Sequence, residues 1–253
     1  MSFSNKDNHW LSISDLMSGL MLVFLMIAVI YMNQIQGYIK DIEKKDKIIK
    51  GITRSYEDTK QSLYDDLQNE FKNDFVKWNA FLDKDTLSIK FLPRNKVESL
   101  GNTDVFFERG SSEITQEYKD ILDNFFPRYL KVLTADKYKK EIEEIRIEGH
   151  TSSEWTSRSS AMHSYFKNME LSQARTRNVL EYLMKKKYSQ RYSNWLMSNL
   201  TANGLSYSKR QVVNDIEDYN ASRRVEFRVR MNIEKYILEI IGEGTIDDDK
   251  KIN

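Results

Sequence analysis

The stretch EIRIEGHTS, residues 144–152, reads as a β-strand that ends at Gly149. Upstream, VFFERGSSEITQEYKDILDNFFPRYLKVL (residues 105–133) gives a short strand, a turn at Gly110 and an amphipathic helix. That helix faces Ile121, Leu122, Phe125 and Leu130 inward. Before it, TLSIKFL (residues 86–92) alternates apolar and polar side chains as a strand does. Downstream, LSQARTRNVLEYLMKKK (residues 171–187) is a second helix, apolar along Ala174, Val179, Leu180 and Leu183. A strand follows around residues 200–202. SRRVEFRVRM closes the sheet, with Val225, Phe227 and Val229 alternating against Arg224, Glu226, Arg228 and Arg230. The order β-α-β-α-β-β predicts an α+β domain with helices on one face of a mixed sheet.

The rest of the chain sets bounds on what that domain serves. At 253 residues there is room for one or two domains beside a membrane segment. Lys and Arg number 39 against 38 Asp and Glu, a balance that argues against a nucleic-acid partner. Cysteine is absent, which excludes disulfides, thiolate chemistry and thiol-bearing metal sites, though it leaves the compartment open. With only two prolines and nine glycines, long regular elements are expected.

Near the N-terminus lies WLSISDLMSGLMLVFLMIAVIYM, residues 10–32. As a helix its 23 residues span roughly 34 Å, enough to cross a bilayer once. Trp10 and Tyr31 then fall near the two interfaces. No basic cluster precedes the run and no A-x-A-like site follows it, so it reads as an uncleaved anchor. The flanking Lys residues give no support to an N-terminus-in topology.

Asp15 is the exception inside this segment. One reading makes it the N-cap of a helix starting at Leu16. The other places it within the membrane, where a carboxylate costs on the order of 2.5–3.5 kcal/mol and tends to be functional. Ser18 and Gly19, at i+3 and i+4, share its face and would let another helix approach closely.

Residues 33–85 are charged, with apolar positions at helical spacing: Ile35, Tyr38, Ile39, Ile42, Ile48, Ile49 and Ile52, then Leu63, Leu67, Phe71, Phe75 and Trp78. No sustained heptad appears, because Gly37, Gly51 and EKKDK interrupt it. The segment reads as a helical stalk packing on a partner copy, against the plainer reading of a solvated linker helix. Residues 232–253 read as a C-terminal helix and a disordered tail.

Several linked motifs carry a resemblance. FFERGSSEI, IEGHTS, Asn168–Leu171–Ser172–Arg175, ANG and RRVEF occur in the order of an OmpA-like peptidoglycan-binding domain, over residues 86–231. The anchor with its lone acid, W-x-x-x-x-D-x-M-x-x-L-M-x-x-F-L, resembles the transmembrane helix of MotB-type stator subunits. Together they resemble the B subunits of stator-type ion-driven motors. The short pre-membrane segment, without a basic run, and a longer loop in the domain resemble the MotB-like subunit of Zorya anti-phage defence systems more than the flagellar one.

The resemblance implies two copies of the chain, a homodimer, inside a pentameric ring of an A-type membrane subunit. Asp15 would be the ion-carrying carboxylate, for H+ or Na+ with the proton preferred. Residues 1–9 would be cytoplasmic and the C-terminal domain periplasmic, in the inner membrane, gripping the wall. Arg175 would bind the carboxylate of the wall's diaminopimelate, with Asn168, Leu171 and Thr151 framing the pocket. The family has Asp after G-H-T where this chain has Ser152, so the charge that would pair with the ligand's ammonium is missing there. The loop of residues 153–167, about eight residues longer than usual, brings Glu154 as a possible substitute. Arg223 and Arg224 either support the site or lie on a solvated strand face.

No cofactor or enzymatic centre is expected. His150 and His163 lack metal-ligand spacing, and His150 reads as a turn residue. A G-x-S-x-G elbow, P-loop and dinucleotide fingerprint are all missing. The alternatives left standing are a flagellar stator subunit and a passive wall anchor that conducts nothing.

Overall fold

A computed structural model describes residues 6–93, 106–156, 159–233 and 236. The expected disordered tail, most of the C-terminal helix, and residues 1–5 lie outside this range. The chain divides into two compact units between Arg54 and Ser55.

Helix α1 (Lys6–Phe71) begins well before Asp15, which sits nine residues inside it and is not an N-cap. Its apolar stretch is long enough to cross a membrane and is exposed throughout. Gly37 and Gly51 lie inside the helix without ending it, each at a cost of about 1 kcal/mol relative to alanine. Ile35, Tyr38, Ile39, Ile42 and Ile49 are exposed along this part of α1.

In the second unit, the end of α1 is followed by α2 (Phe75–Trp78), β1 (Ala80–Asp83), β2 (Ser88–Phe91), α3 (Gln116–Leu133) and α4 (Asp136–Lys139). Then come β3 (Ile142–His150), α5 (Ala161–Met184), α6 (Lys187–Gln190), α7 (Ser193–Asn199) and β4 (Leu200–Gly204). The hairpin β5 (Val212–Val213) and β6 (Ile216–Glu217), the single turn α8 (Tyr219–Ser222) and β7 (Arg224–Met231) complete it. The main sheet runs β1-β2-β7-β3-β4, with β3 and β4 parallel and the other neighbours antiparallel. This is the expected β-α-β-α-β-β order with an edge strand and a hairpin added.

Register explains the two faces of the sheet. Ile89, Phe227 and Ile147 align across β2, β7 and β3 and point into the core. Lys90, Glu226 and Glu148 align one residue along and point the other way. On the core face Phe91, Phe125 and Phe227 pack with centroids 5.0 to 6.0 Å apart, edge to face. Phe71 and Trp78 join them, at 5.2 and 6.1 Å from Phe125.

Two boundaries differ from the sequence reading. Leu63, Leu67, Phe71, Phe75 and Trp78 are buried in the core, so this part of the expected stalk belongs to the domain. Residues 80–83 form β1, which moves the start of the sheet ahead of residue 86. The helical spacing was read correctly; what periodicity alone does not give is which partner the apolar face meets.

Arg128 of α3 fixes the end of α1. Its Nε donates to Glu70 Oε1 at 2.7 Å, Nη1 to Asp74 Oδ2 at 2.8 Å and Nη2 to the Glu70 carbonyl. The guanidinium lies 4.9 Å from the Phe71 ring centroid.

Candidate functional site

The parallel strands β3 and β4 end together, with Gly149 opposite Gly204. Helix α5 crosses directly over this pair. A Cβ on Gly149 would lie 2.7 Å from Thr176 Cγ2 and 3.0 Å from the Ser172 carbonyl, and one on Gly204 would strike the Gln173 backbone. Gln173 also accepts from the Gly204 amide at 2.8 Å and donates to the Ala202 carbonyl at 3.2 Å. Gly204→Ala is therefore expected to lower domain stability by about 1–3 kcal/mol through overpacking. Urea unfolding checks this, and an unchanged midpoint would mean that α5 lifts without cost.

Helix α5 starts at Ala161, with Ser160 as N-cap accepting from the His163 amide at 3.2 Å. Part of the expected long loop is thus two extra turns of helix. Asn168, Leu171 and Arg175 follow one another along a face of α5 and meet Thr151 and Ser152 at the end of β3. All five predicted ligand residues line one cavity of about 240 Å³. Glu154 and Arg223 line it as well, along with Arg109, Trp155 and Thr156, which the sequence reading did not single out.

Arg175 is only 8% exposed. Its Nε donates to the Ser111 carbonyl at 2.8 Å and Nη2 to the Glu108 carbonyl at 3.2 Å, while the guanidinium lies 4.8 Å from the Phe107 centroid. The turn it holds passes through Gly110, whose φ of 72° suits glycine. Asn178 supports the same turn by donating to the Ser112 carbonyl at 2.7 Å.

The loop after Ser152 is pinned from two sides. The Ser153 amide and hydroxyl donate to the Glu217 carboxylate at 3.0 and 2.5 Å. Asn168 Nδ2 donates to the Glu154 carbonyl at 3.3 Å. The Glu154 side chain is half-exposed, and its Oε2 lies 3.7 Å from Arg223 Nη1. Glu217 escaped the sequence reading because its partner is 64 residues away.

In the first unit, Asp15, Ser18 and Gly19 lie on one continuous helix, all exposed. Ser18 Oγ donates to the Ser14 carbonyl at 2.8 Å, and nothing stands within 4 Å of a Cβ on Gly19.

His150 is the last residue of β3 rather than a turn residue. Its Nε2 lies 3.4 Å from Glu226 Oε1 and 3.8 Å from Glu148 Oε2, and neither ring nitrogen has a hydrogen-bond partner. The three groups are close enough to hold a metal ion. Yet each carboxylate already has a cation: Arg224 Nε donates to Glu226 at 2.6 Å, and Arg228 lies 3.9 Å from Glu148. Two arginines balance two glutamates, so the cluster is compensated by the protein itself. Strand pairing creates it, which is why spacing along the chain gave no sign of it.

Burial, aided by Arg224, Lys90, Arg228 and Lys209, pushes the His150 imidazole down to about 2. Below the ordinary value of 6.5 the unfolded chain takes up a proton that the folded domain refuses, so stability is lost as pH falls. Burial raises Glu148, which acts in the opposite direction as the medium is acidified. From pH 7.5 to 5.5, wild type is expected to lose about 1 kcal/mol more than His150→Gln in urea unfolding followed by tryptophan fluorescence. Equal losses would remove His150 as the cause.

The model of the OmpA family matches residues 106–224, a range that contains the whole cavity lining. Zorya protein ZorB of Escherichia coli (strain ATCC 8739) is 43% identical over 243 residues, covering 94% of this chain and 95% of that protein. The chain belongs to the ZorB family. Among solved structures, a putative MotB-like protein from Desulfovibrio vulgaris is similar with a TM-score of 0.45 at 19% identity, covering 74% of this chain and 94% of that one. The cell wall anchor of the T6SS from Pseudomonas aeruginosa has a TM-score of 0.43 at 18% identity, over 66% of this chain and 97% of that one. The ZorB-family match spans both the acid-bearing helix and the OmpA-like domain.

Proposed function

We propose that this chain is the B subunit of an ion-driven, stator-type motor of anti-phage defence, fixed to peptidoglycan by its OmpA-like domain. The observation that carries this reading is the pairing, in one chain, of a membrane-length helix holding an internal acid with a preformed cavity lined by arginines. In this reading α1 crosses the inner membrane once, with the N-terminus in the cytoplasm and the domain in the periplasm. Asp15 takes up the ion on the small-residue face of Ser18 and Gly19, enclosed by a ring of A-type subunits. The chain itself performs no catalysis.

Two copies pair through α1. Ile35, Tyr38, Ile39, Ile42 and Ile49 stand exposed at helical spacing along it.

Two measurements test the halves separately. Full-length chain in detergent should sediment with purified sacculi; a folded chain that stays in the supernatant removes the wall grip. Reconstituted with the multi-pass subunit encoded beside it, the chain should pass protons into vesicles under an imposed pH gradient, read by an interior dye. No flux with H+ or Na+ would leave the passive-anchor reading, and motility genes as neighbours would favour a flagellar stator.

A further inference from the structure

We propose that the β5–β6 hairpin is a latch on the cavity rim, and that Glu217 at its root is a positioning residue that keeps residues 152–156 in their binding shape. This rests on the wall-binding reading above. The hairpin turns on Asn214 and Asp215, at φ of 50° and 64°, the backbone that lets a two-residue turn match the twist of its strands. Its apolar side chains gain little from that, since Val212, Val213 and Ile216 are all exposed. A ribbon this short is marginal alone, so contacts at its root must hold it. The Asp218 amide donates to the Gln211 carbonyl and the Gln211 amide to Ser222 Oγ, each at 2.9 Å. Arg224, fastened to Glu226, donates to the carbonyls of Lys209 and Ser222 at 3.2 and 3.3 Å and so closes both ends of the excursion.

What the excursion delivers is a grip on either side of Ser152. The Thr151 amide donates to the Ser206 carbonyl at 2.9 Å, and Ser153 gives its amide and hydroxyl to Glu217. Ser152, Glu154, Trp155 and Thr156 line the cavity, so the segment gripped is the cavity's own rim. An untethered rim would have to be ordered as ligand arrives, and only its competent fraction would bind. Glu217 lies outside the described cavity lining and its carboxylate is spent on Ser153. Its effect therefore passes through the loop and not through a ligand contact.

The test follows association and dissociation of a soluble muropeptide ending in diaminopimelate on immobilised full-length protein in detergent. Glu217→Ala is expected to weaken binding about tenfold, nearly all of it in the association rate, with faster hydrogen exchange across residues 152–156. Glu217→Gln keeps an oxygen for the Ser153 amide and a nitrogen that can donate to the hydroxyl, so it should bind close to wild type. Ser153→Ala keeps the amide bond and should lose about threefold. Joined to Glu217→Ala it should cost nothing further, because the hydroxyl acts only through Glu217. A loss in Glu217→Gln as large as in Glu217→Ala would mean that charge matters and not position, which overturns the proposal. So does a loss confined to the dissociation rate, or a lower melting temperature with binding unchanged. Should Glu217→Ala fail to fold, Ser153→Ala decides, and binding equal to wild type sinks the latch. If folded wild type binds no muropeptide, the wall-binding reading itself fails, an outcome distinct from the others.

Discussion

Asp15→Asn is expected to abolish phage protection, returning plaque counts to those of cells lacking the system. The substitution keeps the size of the side chain and removes its ability to carry charge. It also makes the helix easier to insert, because it removes an ionised carboxylate, whose cost rises to on the order of 2.5–3.5 kcal/mol at a membrane's centre. Failed insertion is therefore a poor explanation for lost function, and equal amounts of membrane-bound protein on an immunoblot would close that route. Asp15→Glu, which keeps the charge on a longer arm, should retain some protection. Full protection by Asp15→Asn would end the ion-conducting reading and leave a chain that only anchors.

Arg175→Ala is expected to have two separate consequences. The first is structural. The carbonyls of Ser111 and Glu108 lose their guanidinium partner, and Phe107 loses the cation over its ring. Hydrogen bonds made by a charged group contribute about 1.5–3 kcal/mol, so a fall in melting temperature is expected. The second is loss of sacculus binding, by about a hundredfold if the ligand carboxylate is held by a charge-assisted pair. Arg175→Lys separates the two, since a lysine keeps the charge but cannot donate in a planar fork to two carbonyls. Binding unchanged in Arg175→Ala, with the domain still folded, would make this arginine a purely structural clamp.

Much of this was legible along the chain. The five candidate residues Thr151, Ser152, Asn168, Leu171 and Arg175, singled out by the OmpA-like resemblance, fall in two short runs, one just after β3 and one on α5. Their convergence on one cavity follows from β3 ending beneath α5, where Gly149 and Gly204 permit close approach. What stayed hidden depends on contacts between distant residues. Glu217 holds Ser153 from a hairpin far along the sequence, and the Glu148–His150–Glu226 cluster exists only once β3 and β7 pair. The stalk boundary was misplaced for the same reason. Leu63 and Phe71 repeat as any amphipathic helix would, and the repeat is silent on whether the face meets a second helix or a sheet.

The Arg128 clamp has a mechanical consequence. Three donors from one guanidinium grip both the last turn of α1 and the residues just after it, while Phe71 is seated among the aromatic rings below. A joint made this way is held at several points, so the last turn of α1 and helix α3 are fastened to each other rather than free to swivel. If the motor reading holds, torque reaching Phe71 would be met by this fastening before it met any loop.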